Sequence, residues 1–325
     1  MLIEAARDLG RDESEERFQE SATDDCQRRP SSKSAANDNA PADWTYQTQL
    51  SFPYALMMIR ILYAVIALWF SAGLVSAVDL YVGQSGAVTS NCQTEATPCK
   101  TVSYAVSQVP LSSGVGYIIH IIEPGNYAGE INIVQYRVIN IVGDCSNWDA
   151  VVLQPTQNSS AIVIVQDFAI GVVSCVRLDS AGHTGNGALF SRQMAILDFF
   201  AVDFGDMPGG FHYSADHAAL SCTGPYRISG SAEVHATGGN SSVVHANCAV
   251  DIPAPLAFTV FGQAGFQSLT LFSGATYSGA GAGSATSGMQ CIVQDGSITV
   301  PRDGSGNVLL PGNAPCAAHG FGSIW

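Results

Sequence analysis

Two stretches decide the fold: Val172–Asp179, reading VVSCVRLD, and Ile196–Asp203, reading ILDFFAVD. Laid over one another at an offset of 24, they place apolar residues together at 172/196, 173/197, 176/200 and 178/202. Asp179 then coincides with Asp203. A repeat of 20–30 residues with one or two strands per unit is the signature of a solenoid, in which each turn leaves strand edges open for the next to pair with. Short apolar runs bounded by Gly, Asn, Ser or Asp continue on both sides, among them AIVIVQD, YRISGSAEVHA, SLTLFSG and CIVQDGSITV. No second amphipathic helix of useful length separates them, which argues against βαβ units, since those need a crossover helix between parallel strands. The exception lies near the start of this region. In KTVSYAVSQV (100–109), Val102, Ala105, Val106 and Val109 fall at helical spacing, and Pro110 stops the run. A short helix there would cap the first coil and hide its open edges.

The upstream sequence is of another kind. Residues 1–50 are polar, charged and too poor in aliphatics to bury a core. MMIRILYAVIALWFSAGLVSA (57–77) then carries one charge, Arg60, an apolar run, and small residues before a cut after Ala77. That is the layout of a secretory signal peptide, and the run is short for a spanning anchor. The expected organisation is a disordered or non-native upstream segment at 1–56, with Met57 or Met58 as the favoured initiator, a signal at 57–77 and one domain at 78–325, secreted, periplasmic or at the cell surface. Membrane attachment would come only through an uncleaved signal.

The whole chain has 325 residues and a formal net charge of −14. Residues 78–325 keep 6 Lys and Arg against 16 Asp and Glu, a net charge of −10. Such a surface repels phosphate backbones, so nucleic acid is a poor partner. Eight of the nine cysteines lie downstream of the signal. An even number in an exported chain implies disulfides, with 105 formal connectivities. Sequence order suggests neighbours: Cys92–Cys99, Cys145–Cys175, Cys222–Cys248 and Cys291–Cys316. The cysteines lack C-x-x-C spacing and the histidines are not at ligand spacing with them, so a zinc site is not expected.

The opening of the domain also carries a resemblance. Asp79-Leu80-Tyr81-Val82, Gly86, Cys92, Pro98-Cys99-Lys100-Thr101, Ala105, Ile121, Pro124-Gly125-Asn126-Tyr127 and Gly143 resemble the start of bacterial secreted proteins of the pectin-lyase-like superfamily. The resemblance covers 79–144 and implies an all-β, single-stranded, right-handed parallel β-helix. Function does not follow from it, because one solenoid serves lyases, hydrolases, adhesins and inert scaffolds alike. The catalytic patterns of those enzymes are missing: Asp-Asp occurs only at 24–25, and His183 sits in Ala-Gly-His-Thr-Gly.

If the chain were an enzyme, Asp179 and Asp203 on adjacent coils, with Asp198, would be the catalytic candidates, and Ca²⁺ would enter only with lyase chemistry. Arg177 and Asp206 are the polar binding candidates. Phe204 and Tyr213 are the aromatic ones, able to stack on sugar only if exposed. The ordinary alternative is that each Asp ends a strand and bonds turn amides, and that the aromatics fill the core. The leading expectation is therefore an exported, non-enzymatic scaffold or carbohydrate-binding protein, with polysaccharide as the candidate partner and no cofactor. The alternative is a polysaccharide lyase or glycosidase.

Overall fold

The computed structural model describes residues 77–111 and 115–325. Apart from Ala77, the signal-like stretch and the segment before it lie outside these residues. The expected solenoid is present: successive strands pair in parallel and stack into a β-helix whose coils have three sides.

Face one begins with Val78–Ala87, Gly116–Ile121 and Val138–Val142. It continues through the first halves of Ile170–Leu178 and Ile196–Phe204, then Ala219–Cys222, Val243–His245, Leu269–Leu271, Ser297–Thr299 and Ser323–Ile324. Face two holds Gly125–Ala128, Val151–Gln154, the second halves of those two long strands, Tyr226–Ile228, Ala249–Asp251 and Thr276–Ser278. The two long strands turn the corner at Cys175 and Ala201, whose φ angles of 60° and 50° bend the chain without ending the ladder. Face three is a separate eight-stranded sheet running from Ile131–Ile133 to Ala317–His319.

The apolar alternation read from the sequence fills the interior. One inward column on face one runs Ile139, Gly171, Leu197, Leu220, Val244, Thr270 and Ile298. All seven are buried. Burying one Leu or Ile side chain is worth about 1.5–3 kcal/mol, so each coil adds a similar increment and each depends on its neighbours.

The register differs from the offset of 24. Ile196 pairs with Ile170, Asp203 with Arg177 and Phe204 with Leu178, an offset of 26. An even slip keeps side chains on the same side along each straight segment, so apolar identity alone could not separate the two registers; they differ at the corner, where an offset of 24 sets buried Val176 over half-buried Phe200. The consequence is chemical. Asp203 lies beside Arg177 rather than beside Asp179, and no column of like charges forms there.

The helix forms over Val102–Gln108, with Val102, Ala105 and Val106 buried against the first coils. Thr101 caps it by accepting a hydrogen bond from the Tyr104 amide at 3.2 Å. All four disulfides join the sequence neighbours, with Cα separations between 4.4 and 6.2 Å. Cys145–Cys175 and Cys222–Cys248 staple successive coils at the corner between faces one and two, and Cys291–Cys316 does so on face three. Their presence fits an oxidising compartment. Among the described residues, no helix is long and apolar enough to cross a membrane.

The corner from face three to face one has its own rule. Gln135-Tyr136, Asp167-Phe168, Gln193-Met194, Asn240-Ser241 and Phe266-Gln267 all have φ between 42° and 64° at both residues. Hydrogen bonds such as Ala169 N to Gln166 O at 3.2 Å and Ser268 N to Gly265 O at 3.0 Å close several of these turns. Two consecutive left-handed residues closed by an i to i+3 bond make a type I′ turn.

Candidate functional site

The outward side of face two carries a column of alternating charge. Successive coils place Arg177, Asp203, Arg227, Asp251 and Ser278 side by side. Strands about 4.8 Å apart bring each guanidinium within reach of the next carboxylate. Arg227 donates to Asp203 at 3.0 Å, Ser229 donates to the same oxygen at 2.8 Å, and Arg177 lies 3.5 Å from it. Arg177 also donates to Asp179 at 2.9 Å.

A loop from an earlier coil closes over this column. Gly143 starts it, and a Cβ there would sit 2.3 Å from the Cys175 carbonyl oxygen, so only glycine allows this approach. Asp144 accepts from the Ser146 amide at 2.9 Å and Asn147 from the Asp149 amide at 3.2 Å, two successive local turns. With the Cys145–Cys175 bridge they fix the loop, and its end delivers Asp149 to Arg177 and Arg227. Asp203 is left fully enclosed, with its second oxygen buried and unpartnered among the described residues. Burial pushes Asp203 above the usual carboxylate range despite the bonds from Arg227 and Ser229. Burial acts the same way on Asp149, but the hydrogen bond from Arg227 and the charges of both arginines prevail and hold it low.

Two clefts flank the column. A cleft of about 460 Å³ lies under the loop, lined by Trp148, Asp149, Pro225, Arg227, Asp251 and Ser278 among others. A cleft of about 680 Å³ lies toward face three, bordered by Asp179, Asp206, Glu233, Phe258 and Thr259 among others. Both fall in the size range of small-ligand sites. The first joins an aromatic wall to carboxylate and hydroxyl groups on a rigid base, which is what recognition of a polar molecule with apolar ring faces requires.

The sequence candidates divide across these features. Asp179 and Asp203 share Arg177, and Asp179 and Asp206 border the larger cleft. Asp179 also accepts from the Ala181 amide at 2.9 Å, the turn chemistry weighed for these residues, whereas Asp206 accepts from the Ser231 amide of the next coil at 2.8 Å. Asp198 is not with them. It lies on face one between Val172 and Ser221, and burial raises its pKa to about 6 against a hydrogen bond from Ser221. Phe204 and Tyr213 are fully buried and pack in the core, out of reach of a sugar ring. Trp148, Asp149, Arg227, Asp251 and Glu233 are absent from the sequence candidates. A tryptophan among turn-forming residues in GDCSNWD is the signal that could have pointed to the loop.

Inside the coil, behind face two, lies a second polar system without net charge. His212 Nε2 is 3.1 Å from the Gly205 carbonyl oxygen, His212 Nδ1 is 2.9 Å from His235 Nδ1, and His235 Nε2 is 3.0 Å from the Tyr226 hydroxyl. Tyr213 extends the chain to Tyr226 at 3.4 Å. Donor counting fixes the tautomers of the two neutral rings. A carbonyl can only accept, so His212 donates from Nε2 and accepts at Nδ1; His235 then donates from Nδ1 and accepts from Tyr226. Burial drives the His212 pKa down to about 3 and that of His235 well below its ordinary value. Phe261 stacks on His235 at 4.5 Å between centroids.

Among the described residues, no group of three His, Cys, Asp or Glu is placed to hold a metal ion. No protein-family model matches the chain, and no curated protein matches it.

Proposed function

We propose that this chain is an exported, disulfide-stapled β-helix that binds glycan in the cleft under the Gly143–Ala150 loop and does not turn it over. The observation that carries the reading is Trp148, held by a bridged loop in a cleft that also contains Asp149, Arg227, Asp251 and Ser278. An indole offers a flat surface to the C–H face of a pyranose, while the polar groups bond its hydroxyls. Absence of turnover is favoured by the state of the carboxylates. Asp203 is enclosed, and Asp149 and Asp179 are engaged by arginines, which leaves Asp251 alone in the cleft where glycoside hydrolysis uses a pair of carboxylates.

The enzymatic alternative has one observation in its favour, Asp198 with a pKa of about 6, in the range of a general acid. A glycan-array screen of the full chain, with a reducing-end assay on every hit, separates the two. Binding without new reducing ends or unsaturated products supports the proposal. Product formation lost in Asp198→Asn would replace it with the enzymatic reading. No retained glycan would remove both.

A further inference from the structure

The charge arrangement of the cleft narrows its ligand. Arg227 is the cation among its lining residues, and that guanidinium already serves Asp149 and Asp203. Arg177 is committed to Asp149, Asp179 and Asp203. Each guanidinium of the column already faces at least two carboxylates, so neither offers an uncompensated positive charge to an incoming anion. Asp251 differs: its side chain is exposed, and it receives only a long contact of 3.4 Å from Ser278. Column and loop together set three carboxylates, Asp149, Asp203 and Asp251, against the guanidiniums of Arg177 and Arg227. The neighbouring cleft adds Asp179, Asp206 and Glu233 and has neither Lys nor Arg in its lining. Field from both clefts therefore attracts cations and repels carboxylates.

Resting on the reading of the Trp148 cleft as a glycan site, we infer that its ligand is a glycan bearing free amines, an oligomer of hexosamine rather than of uronic acid. An indole face beside exposed carboxylates is a recognition pattern for an ammonium group, which the ring quadrupole and the carboxylates attract together. The Asp251 carboxylate accepts one ammonium, and Trp148 supports the ring that carries it. An acidic polysaccharide would bring its carboxylates against Asp149 and Asp251 with no free cation to receive them.

The test titrates the full chain with three oligomers of matched length: glucosamine, N-acetylglucosamine and galacturonate. The inference predicts binding of the glucosamine oligomer, weakened at least tenfold by N-acetylation and steadily by added salt, and no binding of galacturonate. Asp251→Asn lowers glucosamine affinity about tenfold, whereas Asp251→Glu keeps both affinity and salt dependence. Equal binding of the acetylated oligomer, or preference for galacturonate, overturns the inference and leaves glycan binding standing. If all three oligomers and the wider array fail to bind, the glycan reading itself falls.

Discussion

The outer column of face two and the buried histidine–tyrosine chain solve the same problem in opposite ways. Both must place polar groups on adjacent coils a strand spacing apart. Outside, the solution is charge: Arg177, Asp203 and Arg227 alternate, and Asp149 on the overhanging loop completes their pairing. Inside, Tyr213, Tyr226, His235 and His212 pass neutral hydrogen bonds in one direction to the Gly205 carbonyl. The difference follows from solvent. A charge at the rim keeps part of its hydration, whereas an unpaired charge in the core costs far more than the neutral form. The outer network can therefore face a ligand, and the inner one can only hold coils in register.

The largest expected effect comes from acidifying the inner chain. Both histidines have folded pKa values below the unfolded value of about 6.5, so the unfolded state binds more protons as pH falls. Their contribution is complete above pH ~6.5 and is lost downward toward the folded value of about 3 for His212. Each histidine should remove about 1.4 kcal/mol per pH unit in that window, which urea midpoints measured between pH 7 and pH 4.5 will show. Breaking the chain in the middle comes next. His235→Leu strands the His212 nitrogen and the Tyr226 hydroxyl, a loss of about 4 kcal/mol from two unmet buried groups and a poorer fit. Chemical denaturation at pH 7 checks it.

A staple between coils should matter somewhat less. Replacing Cys222 and Cys248 together with Ala should cost about 3 kcal/mol for a bridge spanning 26 residues, read from the same denaturation midpoint. On the outer column, Asp203→Asn keeps the shape and removes the charge between two partly exposed arginines. The carboxylate is enclosed, but both arginines are partly exposed and keep Asp149 as a partner, so about 2 kcal/mol is expected, smaller than at His235. If Asp203→Asn proved more damaging than His235→Leu, the contrast between rim and core would be reversed.

Much of the solenoid was legible because its strands alternate apolar and polar residues with turn residues at each end. The capping helix was legible from four apolar positions ending at a proline. Register was not, because apolar identity lets Val172–Asp179 fit Ile196–Asp203 at 24 or 26, and only the corner and the partner of Asp203 tell them apart. The type I′ corners were hidden as well. Gln-Tyr, Asp-Phe and Gln-Met take left-handed backbone there, where Gly or Asn would have announced the turn. The cleft was the least legible part. Asp149 and Arg227 are 78 residues apart and meet only because a loop crosses several coils. Arg177 and Asp179 lie two residues apart and both stood among the sequence candidates, though not as an ion pair.

The most direct test of the account is the glycan affinity of Trp148→Ala beside that of the parent chain, with folding checked by circular dichroism. The account predicts at least a tenfold loss of binding while the denaturation midpoint stays put, because Trp148 belongs to the cleft and not to the solenoid core. Undiminished binding by the variant would contradict it, and would place any glycan site elsewhere on the helix.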